Sequence, residues 1–334
     1  MIPRSRAGWQ AELGRAVTSP AELLKILDLD AALLSPAVRA AQTFPLCVPR
    51  GFVQRMESGN PNDPLLRQVL PLGAELVPQP ATFSADPVGD LDAAARPGLL
   101  HKYHGRALLI ATGACAIHCR YCFRRHFPYG DHTQGRLSWE TGLAHVRADP
   151  SIHEVILSGG DPLLLDDGRL KGLVDAIGAL PHVRRLRIHT RLPVVLPERV
   201  TPALAELLEQ VRFNHPVIVL HVNHANEIDA RVRHGCAILK AAGVTLLNQS
   251  VLLRGVNDNA DTLVSLSESL FDAGVLPYYL HLLDRVAGAA HFEVPEDKAL
   301  QIHECLRTRL PGYLLPRLVR DAPGAAAKYP PAPC

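Results

Sequence analysis

Ala107-Leu-Leu-Ile-Ala-Thr-Gly-Ala-Cys-Ala-Ile-His-Cys-Arg-Tyr-Cys-Phe-Arg-Arg-His126 joins a short apolar run to three closely spaced cysteines, Cys115, Cys119 and Cys122. The run Ala107 to Ala111 reads as a buried strand, and the C-x3-C-x2-C spacing lies on the loop that leaves it. Thiolates this close can converge on one inorganic centre. Iron–sulfur clusters are held by Cys thiolates, normally four for a four-iron cluster. No fourth cysteine stands nearby, so a [4Fe-4S] cluster on these three keeps one iron open to a small-molecule chelator. The alternative is a structural zinc site completed by His118, His126 or His132. Such sites usually want paired C-x2-4-C units and four closed ligands, which this stretch lacks.

Outward from this stretch the chain keeps a rhythm. Apolar, β-branched runs stand at 107–111, 154–158, 184–188, 217–222, 244–249 and 277–283, with amphipathic segments of helical length between them. Thr201-Pro202 opens one of these segments, Asn226 another ending at Gly243, and Asp258 or Asn259 a third ending at Gly274. Strands alternating with helices predict an α/β fold with a parallel sheet. Six such units, rather than eight, suit an open or partial barrel. In barrels the chemistry sits at the C-terminal ends of the strands. Polar clusters fall there: the cysteines, then Ser158-Gly-Gly-Asp161, His189-Thr-Arg191, Asn223-His224 and Asn248-Gln-Ser250. The two glycines permit close backbone approach to a ligand, and a plain βα turn is the alternative reading.

Before the first of these strands, residues 8 to 42 show helical periodicity, with Ser19-Pro20 as a helix start. Residues 45 to 97 are rich in Pro, Gly and Asp and read as an irregular arm with a short helix near Leu65 to Leu70. The division expected is an N-terminal extension (1–98), a barrel (99–315) and a C-terminal segment (316–334). Net charge is +2, too small to argue for nucleic acid or an anionic membrane. No window approaches 18 uninterrupted apolar residues, and no apolar stretch follows the charged N-terminus. The cysteines outside the motif (Cys47, Cys236, Cys305, Cys334) are scattered, which argues against a secreted disulfide scaffold and for the cytoplasm.

C-x3-C-x2-C after a strand is the signature of radical S-adenosylmethionine (SAM) enzymes. The surrounding text, Cys119-Arg-Tyr-Cys-Phe-Arg-Arg-His126, closely resembles the lysine 2,3-aminomutase family, and most nearly its short bacterial members, which make β-lysine for elongation factor P. The resemblance runs from about Pro45 to Pro330. It implies a radical SAM partial (βα)6 TIM-like barrel, with SAM bound at Ser158, Gly159, Gly160, Asp161, Arg191 and Gln249.

The resemblance implies a second cofactor, carried by one of the few lysines. Only Lys25, Lys102, Lys171, Lys240, Lys298 and Lys328 are present, and Lys328 alone stands on a Gly/Ala tether flanked by prolines, Asp321-Ala-Pro-Gly-Ala-Ala-Ala-Lys-Tyr-Pro330. A nucleophilic lysine that reaches into a pocket and releases again suits such a tether. The family's stretch D-A-P-G-G-G-G-K carries pyridoxal 5′-phosphate (PLP), and Lys328 matches its lysine. Here three of the four glycines are Ala325, Ala326 and Ala327, which predicts a stiffer tether. By the same resemblance Lys102, Tyr103 and Arg106 hold PLP, and Arg124 clamps the substrate carboxylate. Asp284 and Asp321 recognise the ε-ammonium; two distal negative charges favour lysine over glutamate.

The implied reaction moves the α-amino group of free L-lysine from C2 to C3. It needs an electron donor such as flavodoxin or ferredoxin, and it links the chain to elongation factor P and its lysyl-transferring enzyme. Two rivals remain from the residues: a radical SAM enzyme acting on another amino acid, and a non-catalytic iron–sulfur protein.

Overall fold

Residues 8–132, 136–213 and 215–331 are described by the computed structural model. The charged N-terminal heptapeptide and Cys334 lie outside them. Among the described residues the strands form one nine-stranded sheet in sequential order. They are β1 (Ala94–Arg96), β2 (Leu99–Tyr103), β3 (Arg106–Thr112), β4 (Glu154–Gly159), β5 (Arg185–Thr190), β6 (Val217–Leu220), β7 (Thr245–Val251), β8 (Leu276–His281) and β9 (Arg317–Val319). From β3 to β9 every neighbouring pair is parallel. β1 and β2 add antiparallel strands to the leading side, so β1 and β9 are the two edges of an open sheet. The six runs read from the sequence are β3 to β8. The edge strands were not read: β1 and β9 are three residues each, too short for a period-2 signal, and β2 mixes Leu99 and Leu100 with His101 and Lys102. Lys102 and Tyr103 therefore sit on a strand that precedes the first one read from the sequence.

Helices Arg136–Ala148, Asp167–Gly178, Pro202–Glu209, Ala230–Ala241, Ala260–Asp272 and Glu296–Arg309 follow β3 to β8 in turn. Thr201 caps the third through its hydroxyl to Leu204 N, and Asn259 caps the fifth, with Gly274 turning at φ +76° just beyond it. The fourth starts later than Asn226: that residue lies in a 3-10 turn, and Asp229 is the cap, accepting from Val232 N. Between Glu154 and Ser158, β4 is apolar on both faces, as a central parallel strand must be.

One hydrophobic cluster runs from Trp9, Leu23 and Phe52 through Leu109, Leu157 and Leu186 to Leu306 and Leu318. The helices before the barrel are thus packed on the same core as its strands. Ser19 opens Pro20–Ile26, where the sequence placed a helix start, and Asp63 opens Pro64–Arg67, a single turn that ends short of the expected Leu65 to Leu70 helix. No described helix is long and apolar enough to cross a membrane.

Candidate active site

Parallel strands in sequential order carry their C-terminal ends to one rim, and a cavity of about 340 Å³ opens there. Every residue named above for a cofactor or the substrate, from Lys102 to Lys328, lines it. At its floor Cys115, Cys119 and Cys122 follow β3 as free, half-buried thiols. Burial pushes the Cys115 thiol well up, and Cys122 and Asp161 nearby add to it; Cys122 is pushed up to about 11 by burial and by Cys119. Crowded thiols that resist ionising alone are what a bound cation relieves, since the metal takes the thiolate. The donor set fits an iron–sulfur cluster.

The loop's shape comes from its neighbours. Gly160 N donates to Thr112 O at 2.7 Å and Asp161 N to Ala114 O at 2.8 Å. A Cβ on Gly160 would fall 2.1 Å from Ala114 O, and one on Gly159, at φ +114°, 2.6 Å from Thr112 O. The glycine pair lets the backbone after β4 lie against the cysteine loop, so protein, rather than a ligand alone, demands the missing side chains. The Asp161 carboxylate is likewise engaged within the protein. It accepts from Leu163 N, Thr190 Oγ1, Arg191 N and Leu192 N at 2.6–3.1 Å, which fixes the turn after β5. Burial nonetheless raises its pKa.

That turn delivers Arg191. Its Nη1 donates to Cys119 Sγ at 2.7 Å and to Tyr121 Oη at 3.0 Å; Nη2 donates to Gln68 Oε1 at 2.6 Å and Glu227 Oε2 at 2.9 Å. The guanidinium is buried and bound to a cluster cysteine, which makes it a holder of the cluster loop as well as a cavity wall. Burial works against the charge of Glu227, but Arg191 outweighs it and keeps the carboxyl below its usual range. A second buried pair grips the loop from outside: Arg120 donates to both oxygens of Glu75 at 2.9 and 2.6 Å, and Arg125 reaches the same carboxylate at 2.8 Å. Cys47 O accepts from His118 N and Gln68 O from Arg120 N, so the irregular arm is laced onto the cysteine stretch.

Toward the middle, Arg124 is buried, with Nε on Asp90 Oδ2 at 2.7 Å and Nη1 on Ser158 Oγ at 3.2 Å. Lys102 Nζ lies 2.5 Å from the other Asp90 oxygen and donates to Val88 O at 2.7 Å. Asp90, unread in the sequence, is therefore the anchor that aims two cavity cations.

At the far wall Lys328 Nζ meets Asp321 Oδ2 at 2.7 Å, and Tyr103 Oη donates to Asp321 Oδ1 at 2.8 Å. Burial opposes ionisation of Asp321, but the Lys328 ammonium wins and lowers its pKa. Asp284 is pushed up to about 7 by burial, which outweighs the pull of the Lys328 ammonium. The Arg106 guanidinium stacks 4.7 Å from the Tyr103 ring centroid, and its buried Nε has no hydrogen-bond partner. An orphaned cationic donor in the cavity that Lys328 and Lys102 also line fits a phosphorylated carbonyl cofactor, whose phosphate supplies the missing acceptor. The tether turns at Gly324, φ +71°, and closes through Arg320 N to Tyr329 O at 2.8 Å. Among the described residues Asp28 is the only non-glycine at positive φ, so Ala325, Ala326 and Ala327 stand where alanine is unstrained.

Three histidines line the cavity: His189, already quoted in a strand-end cluster, and His221 and His281, which were not singled out. His189, His221 and His281 are all held neutral by burial, His221 down to about 3. His221 Nε2 lies 2.9 Å from Tyr121 Oη. The position of His221 and His281 at the ends of β6 and β8 is the signal that could have found them, by the same strand-end rule.

The radical SAM superfamily profile matches residues 109–266. The chain is 52% identical to an L-lysine 2,3-aminomutase of Escherichia coli (strain K12), over 98% of this chain and 95% of that one. It is 46% identical to one from Haemophilus influenzae, over 98% and 96% of the two chains. A relative of the same name from Clostridium subterminale is 35% identical over 97% of this chain and 78% of its own. Identity at this level over nearly the whole length, on a barrel with three cysteines after its first parallel strand, places the chain in the radical SAM lysine 2,3-aminomutase family.

Proposed function

We propose that the chain is an isomerase that converts L-α-lysine to β-lysine, using a [4Fe-4S] cluster on Cys115, Cys119 and Cys122, SAM, and PLP carried by Lys328. What carries the reading is the company kept in one cavity: three thiols, a guanidinium fixed by Asp90, a tethered lysine, and two further carboxylates. When bound, the cluster and SAM supply a radical able to take a hydrogen from carbon, and PLP supplies a carrier on which an amino group can migrate.

The protein's part is placement. Arg124, locked at Nε by Asp90, offers its remaining edge to the substrate carboxylate, a planar bidentate task. Asp284 and Asp321 receive the ε-ammonium. In the resting cavity Asp321 is occupied by the Lys328 ammonium. Once that amine is committed to the cofactor, the carboxylate is released to a substrate cation. Asp284, near pKa 7 with the cavity free of substrate, is drawn to its anionic form by an arriving ammonium. Neutral His189, His221 and His281 line the cavity without repelling that cation. Lys102, Tyr103 and Arg106 hold the cofactor, Arg106 Nε supplying an unused donor to its phosphate. Gln249, Ser158, Gly159, Gly160 and Asp161 form the wall for SAM. We assign the electron to a flavodoxin or ferredoxin, the setting to the cytoplasm, and the product to modification of elongation factor P, this last on the motif's resemblance.

The test is anaerobic reconstitution with iron, sulfide, SAM, PLP, a strong reductant and L-lysine, followed by mass-resolved chromatography. β-Lysine from the wild type, and none from Lys328→Ala, is expected. 5′-Deoxyadenosine without β-lysine, with turnover of another amino acid instead, would replace lysine as substrate.

A further inference from the structure

On the face of β2 away from the cavity, the structure assembles a second constellation. Leu100, Lys102 and Tyr103 of β2 line the cavity, whereas His101 packs on the helix layer instead. There it meets the C-terminal end of helix Arg136–Ala148. The rings of His101 and His145 stand edge to face with centroids 5.9 Å apart, and Asp149 follows the helix by one residue. One ligand atom from each of His101, His145 and Asp149 lies within 4.8 Å of the others.

We propose that His101, His145 and Asp149 form a binding site for a divalent first-row transition ion of the zinc type, separate from the cysteine site. Two imidazoles and one carboxylate with open positions are a donor set that such ions accept. Ligand atoms about 2.1 Å from a common ion are at most about 4.2 Å apart, so closing on the ion asks only small side-chain rotations. Three independent features favour it. His145 Nε2 is buried with no hydrogen-bond partner, an unused donor atom of the kind a metal satisfies. Ser151 donates to Asp149 Oδ1 from its backbone N at 3.0 Å and its hydroxyl at 2.6 Å, the outer-shell support that orients a metal-binding carboxylate. A helix C-terminus carries partial negative charge, which favours a cation there.

The ion would fasten the end of helix Arg136–Ala148 to the strand whose next residues, Lys102 and Tyr103, line the cavity. Cluster-loaded protein is titrated with Zn²⁺ by calorimetry without oxygen, with the cluster's visible absorbance monitored throughout. One saturable equivalent is expected, weakened by about 100-fold or more in His145→Ala and Asp149→Asn and by about tenfold in Ser151→Ala. The unfolding midpoint of the wild type should rise on adding Zn²⁺, and that of His145→Ala should not. If His145→Ala fails to load its cluster, Asp149→Asn and His101→Gln carry the test. Absence of saturable uptake overturns the proposal. So does uptake that survives these substitutions but is lost in Cys115→Ala, because the ion then sits on the thiols.

Discussion

The two halves of the cavity are built in opposite ways. The cysteine loop is gripped on every side: Arg191 on Cys119 Sγ, Glu75 on Arg120 and Arg125, the Gly159–Gly160 backbone against Thr112 and Ala114. The lysine segment, in contrast, is a mostly exposed loop closed by a single isolated bridge, and its lysine is held by one ion pair. The difference matches the tasks proposed. A cluster must be kept in one geometry, whereas a cofactor lysine must bind and let go. It also makes the two ends fail differently when altered.

The largest effect belongs to the gripped end. Glu75→Ala strands two buried guanidiniums and should cost about 3–5 kcal/mol of unfolding free energy, with iron content falling in parallel. Lys328→Ala, at the loose end, should leave the unfolding midpoint within about 0.5 kcal/mol and iron unchanged, while removing PLP's absorbance. Denaturant melts and iron analysis of the two variants settle this; equal destabilisation would erase the contrast.

Next comes Asp284, the carboxylate assigned to the substrate ammonium. Its raised pKa means that Asp284 keeps a proton until about pH 7 in the substrate-free cavity. The unfolded chain releases that proton near the ordinary carboxylate value, so this group makes folding less favourable as pH rises from there to about 7, and no further above it. Binding runs the other way, because a cationic substrate needs the anion. The KM for lysine should fall as pH rises toward about 7 and then level off. Asp284→Asn should abolish that slope and raise KM roughly 10- to 150-fold, the worth of about 1.5–3 kcal/mol for a hydrogen bond to a charged group. A pH series of KM for both proteins reads it; an unchanged slope would remove Asp284 from recognition.

Gly160→Ala drives a methyl into Ala114 O and should cost about 1–3 kcal/mol, displacing Cys115 and lowering iron content. The smallest effect is expected from restoring glycine at Ala325, Ala326 and Ala327. Each change should cost about 0.4–1 kcal/mol or less, mainly through a freer unfolded chain, with PLP affinity nearly unchanged. A large gain in PLP affinity would show that the alanines do stiffen the tether.

The contrast also explains what could be read in the sequence. The cysteines, the six central strands and Ser158–Asp161 are contiguous, so each announces itself locally. The grip on the loop is made across the chain: Arg124 meets Asp90 from 34 residues away, Arg120 meets Glu75 from 45, and Arg191 meets Gln68 from 123. Asp90, Glu75 and Gln68 lie in the Pro-rich arm, where nothing in composition separates an anchor from a solvated loop residue. The glycine pair was noticed for a sound reason, close approach, but its nearest neighbour is the protein's own Thr112–Ala114 backbone. The alanines at 325–327 were read as stiffening; the one position that turns through positive φ kept its glycine, Gly324.

The most direct test of the account is the path of one hydrogen. With lysine deuterated at C3, reconstituted wild type should deliver β-lysine carrying deuterium at C2 and SAM carrying it at the 5′ carbon. Lys328→Ala, with its cluster intact, should yield neither. Protium alone at C2 of the product, with SAM cleaved at the same rate in both proteins, would contradict the claim that the gripped end and the loose end act on one lysine molecule.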